Sequence, residues 1–202
     1  MKLFLTSRGL STPKLKRVFI SKLPKKTEGC SLLLISTVQS KDEEVWGKRA
    51  KSEIEKIGIK NITVYHLYKE KFTFSKKKFD IVYLLGGATF SVLKEIRKKG
   101  ADKFIRKSVL KNRSIFLGIS AGSIIAGPNI ESAGWGSEAD ENEVGLKDLT
   151  GLKLTNVAIF PHYEGKMKKE ITGFQKQVKY KIITVKDGEM VFMDGKKIVK
   201  ID

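Results

Sequence analysis

The sequence of 202 residues has one cysteine, four prolines and two histidines, and it lacks any long apolar run. Cys30 alone excludes an internal disulfide and a cysteine-rich metal site. No stretch of 18 apolar residues occurs, which argues against a membrane-spanning helix. The apolar start at residues 1–6 is too short for a secretory signal, and no small-residue cleavage site follows it. We therefore expect a soluble, cytoplasmic protein.

Positively charged residues are abundant. Forty Lys and Arg residues outnumber 22 Asp and Glu residues, which gives a formal net charge of +18. Such an excess can indicate a nucleic acid or an anionic ligand. The lysines are spread along the whole chain, however, with only short clusters such as residues 76–78. We interpret them as solvent-exposed residues of helices, with weak steering of anionic substrates as the alternative, and we predict no nucleic-acid partner.

Apolar runs alternate with helical patterns, which is typical of a parallel sheet flanked by helices. No repeat, proline-rich linker or low-complexity block divides the sequence, so we predict one catalytic domain over residues 1–202. The fold class is α/β, with a mostly parallel central sheet. Strands are predicted at residues 2–6, 31–36, 61–67, 81–85, 114–117, 156–160, 181–185, 190–193 and 197–201.

Three segments have the apolar spacing of amphipathic helices. The first opens with a capping-box pattern at residues 40–43. We assign the apolar stripes of all three to the core: Val45, Trp46, Ala50, Ile54 and Ile57; Phe90, Leu93 and Ile96, ended by Gly100; and Met167, Ile171, Phe174 and Val178. The polar segment at residues 128–151, which contains an acidic stretch at 137–143, is interpreted as an active-site rim or, equally, as a surface loop.

The segment from Gly118 to Gly122 reads Gly-Ile-Ser-Ala-Gly and directly follows the predicted strand at residues 114–117. A strand that turns sharply into a helix around Gly-x-Ser-x-Gly lifts the central serine out of the turn. Glycines are needed there because side chains would clash with the neighbouring strand and helix. The Ser120 hydroxyl would lie at a helix N-terminus, whose free N–H groups stabilise a developing oxyanion. This pattern predicts an acyl-transfer nucleophile.

A serine nucleophile needs a base, and the sequence offers only His66 and His162. His66 lies within a predicted strand, in phase with its apolar residues, and we interpret it as a packed or strand-end side chain. His162 follows the strand at residues 156–160. Since ligand sites gather at the carboxyl ends of parallel strands, we expect Ser120 and His162 to share one sheet edge. We therefore predict His162 as the base.

Two carboxylates could orient the imidazole of His162. Glu164 lies two residues further along the chain, and Asp187 precedes a glycine in a predicted turn. Spacing alone leaves both open. A second oxyanion donor could come from Gly86 and Gly87, which stand between a strand and a helix start, although such a turn could equally hold a phosphate.

These motifs, in this order, resemble those of the peptidase E (α-aspartyl dipeptidase) family of serine peptidases. Residues 86–89 resemble the family's Gly-Gly-Asn-Thr strand end, and residues 118–122 match its Gly-x-Ser-Ala-Gly elbow. Residues 161–163 match its Pro-His-aromatic motif, and Asp187-Gly188 resembles its acidic residue before a glycine. The fold of this family is related to that of class I glutamine amidotransferases. The resemblance thus implies a three-layer sandwich, glutamine amidotransferase-like or flavodoxin-like, with helices on both faces of the sheet.

The resemblance also implies a role for each site residue. Ser120 would be the nucleophile, His162 the general base, and Asp187 the orienting acid in place of the glutamate expected in the best-known members. The N–H groups of Gly87 and Ala121 would form the oxyanion hole. Glutamine amidotransferases use a His-x-Glu pair, which His162 and Glu164 also spell, so Glu164 stays an alternative.

Two departures from the family pattern bear on the substrate. Ala88 stands where the family has asparagine, and the loop after Gly127 lacks the usual Asn-Asp segment. Both weaken the implied preference for an N-terminal aspartate.

Taken together, we predict a serine peptidase without a metal or a cofactor that cleaves a small peptide, such as a dipeptide with an acidic N-terminal residue, through an acyl-enzyme. The alternative is a non-catalytic α/β module that binds a ligand or an anion at the turn formed by Gly86 and Gly87. We expect a monomer or a small homo-oligomer with no membrane partner.

Overall fold

A computed structural model describes residues 1–41, 43–136 and 139–202. Its strands are β1 (Lys2–Thr6), β2 (Ser31–Ser36), β3 (Asn61–His66), β4 (Ile81–Leu84), β5 (Ile115–Ile119), β6 (Val157–Phe160), β7 (Lys181–Thr184), β8 (Met190–Asp194) and β9 (Lys197–Ile201). Its α-helices are α1 (Pro13–Ser21), α2 (Glu44–Lys56), α3 (Thr89–Lys99), α4 (Ala101–Leu110), α5 (Ala121–Ile125) and α6 (Lys168–Gln177). Each predicted strand is present within two residues of its predicted bounds.

The main sheet has seven strands in the order β3-β2-β4-β5-β1-β8-β9. The five strands from β3 to β1 are parallel, and β8 and β9 add an antiparallel edge. β1 therefore lies between β5, which leads to Ser120, and β8, which follows the turn that contains Asp187. The carboxyl end of β1 is thus adjacent to both halves of the predicted site.

Both faces of this sheet are covered by helices. Successive side chains of each strand point to opposite faces, so the apolar side chains on both faces need to be buried. Leu3 and Leu5 of β1 pack in the core cluster that contains residues of α3, α4 and α5. Phe4, between them, packs in the cluster that contains residues of α1 and α2. These three layers with a mostly parallel sheet confirm the predicted α/β fold class.

Strands β6 and β7 form a separate two-stranded parallel sheet. Val157 and Ile159 of β6 pack in the core cluster of α3–α5, whereas Phe160 packs with Met167 and Ile171. β6 is thus buried on both sides without a place in the main sheet. The expectation that Ser120 and His162 follow strands of one sheet is therefore wrong, because helix α5 stands between the main sheet and β6.

The helix predictions need two corrections. Helices α1 and α4 had no predicted counterpart, although Thr12 caps α1 with its side chain and Pro13 opens it. In α2, Ala50 and Ile54 are buried as predicted, but Val45 and Trp46 are exposed. The core stripe of α2 therefore covers only its C-terminal part.

The capping-box pattern before α2 is formed in part. The Ser40 hydroxyl accepts a hydrogen bond from the N–H of Glu43 at 3.3 Å, and the Glu43 carboxylate accepts one from the N–H of Gln39 at 2.6 Å. The third residue of the pattern, Asp42, lies outside the described residues.

Candidate active site

The turn from β5 into α5 has the shape that its glycines predicted. Ser120 has φ 48° and ψ −115°, a conformation that side chains rarely adopt. A Cβ atom on Gly118 would lie 2.8 Å from the carbonyl carbon of Gly122, and a Cβ on Gly122 would lie 2.3 Å from the carbonyl oxygen of Leu84. Only glycine fits at both positions, so the chain is forced to turn sharply and present Ser120.

The imidazole of His162 lies between Ser120 and Asp187. Its Nε2 is 3.0 Å from Ser120 Oγ, and its Nδ1 is 2.9 Å from Asp187 Oδ1. With a proton on Nδ1 shared with the carboxylate, Nε2 is left to accept the proton of the serine hydroxyl. The three side chains thus form one hydrogen-bonded line, at partly exposed positions, because the side chains of His162 and Asp187 are 40% and 44% exposed.

The structure brings Asp187, and not Glu164, to the imidazole of His162. Glu164 pairs instead with Lys166 at 2.7 Å on the surface. Asp187 reaches His162 because β7 runs parallel to β6, so that the segments after both strands emerge on the same side. The hydrogen bond from the Tyr163 N–H to the Val185 carbonyl, at 3.2 Å, holds these two segments together.

The last residue of β1 and the two residues that follow it each contact one member of this line, and sequence reasoning missed all of them. The Thr6 carbonyl accepts a hydrogen bond from the Ser120 N–H at 2.9 Å. The Ser7 hydroxyl accepts from the His162 N–H at 3.0 Å, and Arg8 Nε is 2.6 Å from Asp187 Oδ2. The signal that could have found them is their place directly after a central parallel strand, where polar residues gather at sites.

Ser7 in particular supports the backbone of His162. His162 has φ 54°, in the left-handed region that a non-glycine residue enters at a cost. The Ser7 side chain is buried, and its hydroxyl also donates to the Val185 carbonyl at 2.7 Å. Through these two hydrogen bonds, the Ser7 hydroxyl connects the segment after β1 to the segments after β6 and β7.

The predicted oxyanion donors are the N–H groups of Gly87 and Ala121, which follow Gly86 and Ser120 in the chain. Gly86 packs against the serine, since a Cβ there would lie 3.1 Å from Ser120 Cβ. Within the described part of the chain, the N–H of Gly87 makes no hydrogen bond. Ala121 is the first residue of α5, so its N–H has no acceptor inside the helix. Both N–H groups are therefore available to an oxyanion beside the Ser120 hydroxyl.

A cavity of about 350 Å³ opens at these residues. Ser120, His162, Gly86 and Gly87 line it, together with residues of α2. Of the described residues that line this cavity, none comes from the segment 128–151. The described part of that segment contacts α3 instead, which favours the alternative interpretation as a surface loop; residues 137 and 138 lie outside the described residues.

In residues 1–41, 43–136 and 139–202, no group of three or more His, Cys, Asp and Glu side chains is placed to hold a metal ion. No helix in those same ranges has the length and apolarity that crossing a membrane requires.

Comparison with known proteins gives the family. The model of peptidase family S51 matches residues 3–201 of the chain. The chain belongs to peptidase family S51. It is therefore a serine-type peptidase, as its sequence predicted.

Relatives of this S51 peptidase agree with that assignment. An uncharacterized peptidase of Listeria monocytogenes is 30% identical over 205 residues, which cover 98% of this chain and 96% of the relative. A crystal structure of a candidate peptidase E from Listeria monocytogenes has a TM-score of 0.79 at 27% identity, and the match covers 99% and 97% of the two chains. A peptidase from an acI-B1 actinobacterium shares the fold, with a TM-score of 0.68 at 14% identity over 99% and 86% of the chains.

Proposed function

We propose that this S51 peptidase hydrolyses a short peptide through a Ser120–His162–Asp187 triad and an acyl-enzyme. The observation that supports the proposal most directly is the position of one imidazole, with Nε2 3.0 Å from the Ser120 hydroxyl oxygen and Nδ1 2.9 Å from an Asp187 carboxylate oxygen. Both distances are those of hydrogen bonds.

In the proposed reaction, the Ser120 oxygen attacks the carbonyl carbon of the peptide while its proton passes to Nε2 of His162. The negative charge that develops on the carbonyl oxygen accepts hydrogen bonds from the N–H groups of Gly87 and Ala121. Nε2 then protonates the leaving amine, and the C–N bond breaks. In the second half, Nε2 takes a proton from water, the hydroxide attacks the ester carbonyl, and the proton returns to Ser120.

Asp187 has the role of orienting the imidazole in this scheme. It accepts a hydrogen bond from the Nδ1–H of His162, fixes the tautomer in which Nε2 is a base, and stabilises the imidazolium that forms. Arg8 holds the second oxygen of the same carboxylate. The proposed acid is thereby fixed at both of its oxygens.

The size of the cavity favours a short peptide over a folded protein, since about 350 Å³ accommodates only a few side chains. The acidic N-terminal residue that the resemblance implies stays a prediction. The single domain, the cytoplasmic location, the monomer or small homo-oligomer and the lack of a nucleic-acid partner also stay predictions of the sequence.

The proposal is tested by measuring dipeptide hydrolysis with purified variants. Ser120→Ala and His162→Ala are each expected to lower turnover by roughly 10³-fold or more. His66→Gln is the matched control, because it changes the other histidine, which lies at the end of β3. Near-normal turnover in the Ser120 or His162 variant would refute the mechanism. If no dipeptide is cleaved and a fluorophosphonate forms no adduct at Ser120, the non-catalytic alternative is favoured.

A further inference from the structure

One of the residues that line the cavity together with Ser120 is an exposed tryptophan. Trp46 of α2 is 58% exposed and lines the cavity, together with the apolar residues Val38, Leu85 and Ile119. A side chain of this size contributes a large apolar area when it is covered. Its neighbour Val45 is equally exposed, at 59%, but does not line the cavity. Trp46 therefore presents an uncovered apolar surface to whatever enters beside Ser120.

The charged groups of the same cavity do not favour an anion. Its two guanidinium groups already face carboxylates, with Arg8 Nε 2.6 Å from Asp187 and Arg49 Nε 3.4 Å from Glu53. Glu43 also lines the cavity. Two carboxylates, those of Glu43 and Glu53, thus line the cavity beside these two guanidinium groups, each of which already has a carboxylate partner. Among the described lining residues, a substrate carboxylate would therefore find no guanidinium group without such a partner, whereas an ammonium group would be attracted by the two carboxylates.

Glu53 is the carboxylate best placed to hold such an ammonium group. Its side chain is only 14% exposed, so its interaction with a bound cation is weakly screened by solvent. The buried Tyr83 hydroxyl lies near it, and a Cβ atom on Gly9 would be 3.1 Å from both Glu53 Oε2 and the Tyr83 oxygen. Burial, and then the charge of Glu53, raise the pKa of Tyr83 well above its usual value, so the phenol stays neutral.

The helix terminus closest to the Gly86-Gly87 turn is also closed to an acidic side chain. Thr89, the first residue of α3, donates hydrogen bonds from its N–H and its hydroxyl to Asp140 Oδ2. The positive end of α3 is therefore already occupied by a carboxylate of the same chain. The N-terminus of α3 is therefore unavailable to the acidic side chain of a substrate.

On the basis of the proposed function, we propose that the cavity binds the N-terminal residue of an unblocked peptide whose side chain is apolar. That side chain packs against Trp46, and the α-ammonium group of the peptide faces Glu53. The substrates of this S51 peptidase are then short peptides that begin with residues such as leucine, rather than with aspartate.

The first experiment measures binding without turnover. The Ser120→Ala variant is titrated by calorimetry with Leu-Ala, Asp-Ala and acetyl-Leu-Ala. Leu-Ala is expected to bind at least about tenfold more tightly than either of the others, because Asp-Ala lacks the apolar side chain and the acetylated peptide lacks the ammonium group. Tighter binding of Asp-Ala, or equal or undetectable binding of all three, would overturn the proposal.

The second experiment assigns the preference to residues, in the same Ser120→Ala background. Trp46→Ala is compared with Val45→Ala, and Glu53→Gln with Glu55→Gln, since Glu55 lies on the same helix but pairs with Lys51 outside the cavity. The first variant of each pair is expected to weaken Leu-Ala binding about tenfold, and its control less than twofold. Equal losses within a pair would overturn the assignment.

Two further measurements separate the possible failures. The oligomeric mass of Trp46→Ala is compared with that of the wild-type chain. A change in mass would mean that a second copy of the chain covers Trp46, and the proposal would be overturned. Hydrolysis by the wild-type chain is measured with the same peptides. Cleavage of Asp-Ala in preference to Leu-Ala, with full dependence on Ser120, would refute the substrate class and leave the proposed function intact. Leu-Ala binding without any Ser120-dependent cleavage would refute the proposed function and support the binding site.

Discussion

The two halves of the candidate site are held in place by different means. On the Ser120 side, glycine-to-backbone contacts fix the turn, and the residues that follow Ser120 in α5 are buried. On the other side, His162 and Asp187 are partly exposed and follow the separate β6–β7 sheet. There the segments after β6 and β7 are joined by the Tyr163–Val185 backbone hydrogen bond, and the contacts that hold them to the segment after β1 come from side chains, those of Ser7 and Arg8.

This difference indicates which part of the site can change during evolution and which cannot. The Ser120 turn leaves no room for any side chain at Gly118 or Gly122, so its sequence is dictated by the packing of β4, β5 and α5. Asp187 touches its partners through side-chain atoms at the surface. A carboxylate side chain of another length could therefore be accommodated there without any change in the sheet.

The largest expected effect comes from a substitution in the Ser120 half of the site. In Gly122→Ala the new Cβ atom would lie 2.3 Å from the Leu84 carbonyl oxygen, so β4 and α5 must separate. We expect a loss of about 3 kcal/mol or more in the free energy of unfolding, with loss of activity, as measured by denaturant unfolding and peptide hydrolysis.

The matched control for that change is Gly173→Ala in α6. A Cβ atom there would meet nothing within 4 Å, and alanine favours a helix over glycine by about 0.5–1 kcal/mol. This variant is expected to be unchanged or slightly more stable. Similar destabilisation in both variants would contradict the close approach of β4 and α5.

Ser7→Ala tests the half of the site that contains His162 and Asp187. It leaves the buried N–H of His162 and the Val185 carbonyl without their hydroxyl partner. We expect kcat to fall by about ten- to a hundredfold, the equivalent of 1–3 kcal/mol, with little change in KM, because the imidazole is displaced rather than the peptide. Ser132→Ala serves as the control, since Ser132 is also buried but, within the described chain, its hydroxyl has no partner. A rise in KM alone would argue against a positioning role for Ser7.

Arg8→Gln tests the second support of this half and is expected to have a smaller effect. The Arg8–Asp187 pair is about half exposed, and exposed pairs contribute up to about 1 kcal/mol, or roughly fivefold in kcat/KM. The free energy of unfolding should change by less than about 1 kcal/mol. Lys14→Gln is the comparison, because Lys14 has the same exposure and pairs with Asp202 away from the site. Equal kinetics in the two variants would remove Arg8 from the site.

Asp80→Asn is expected to leave the site untouched and to change stability only. Burial opposes ionisation of Asp80, but hydrogen bonds from the Ser31 N–H and hydroxyl and from the Lys25 ammonium outweigh it, so the pKa of Asp80 is lowered. Its contribution is therefore present at neutral pH and is lost as the pH falls through the lowered pKa.

The measurement for this variant is unfolding at two pH values. Wild type is expected to exceed Asp80→Asn by about 1–3 kcal/mol in the free energy of unfolding at pH 7, and the difference should shrink in acid. Peptide hydrolysis should be equal in both chains. A difference that grows toward acid would contradict the sign of the pKa shift.

The positions of the strands could be predicted from the sequence because each is a short apolar run between turn residues. Their pairing could not. The run at residues 156–160 looks like a strand of a parallel sheet, and nothing local shows that it pairs with β7 alone. Helix α4 was missed because Gly100 ends α3 in a left-handed conformation and the next helix begins at the following residue, Ala101. The exposure of Trp46 was missed because the apolar spacing in the sequence identifies one face of helix α2 but does not show whether other residues cover that face.

In the site, the Ser120 turn could be predicted from the sequence. Close contacts between neighbouring elements require glycine at positions 118 and 122, and these two glycines form a short motif around the serine. His162 could be predicted by elimination, since only two histidines exist, although the argument from a shared sheet edge was wrong. Asp187 was left open against Glu164 because spacing does not show which carboxylate reaches the imidazole. Ser7 and Arg8 were missed because their partners lie far along the chain, without a motif of their own.

The contacts of Ser7 span 155 residues to His162 and 178 residues to Val185. During translation the first strand and the serine elbow therefore emerge long before the imidazole and the carboxylate that they meet. A nascent chain therefore carries Ser120 before it carries His162, and Asp187 follows 25 residues after that histidine. The proposed triad cannot assemble until residue 187 has been synthesised, simply because of the order of the strands.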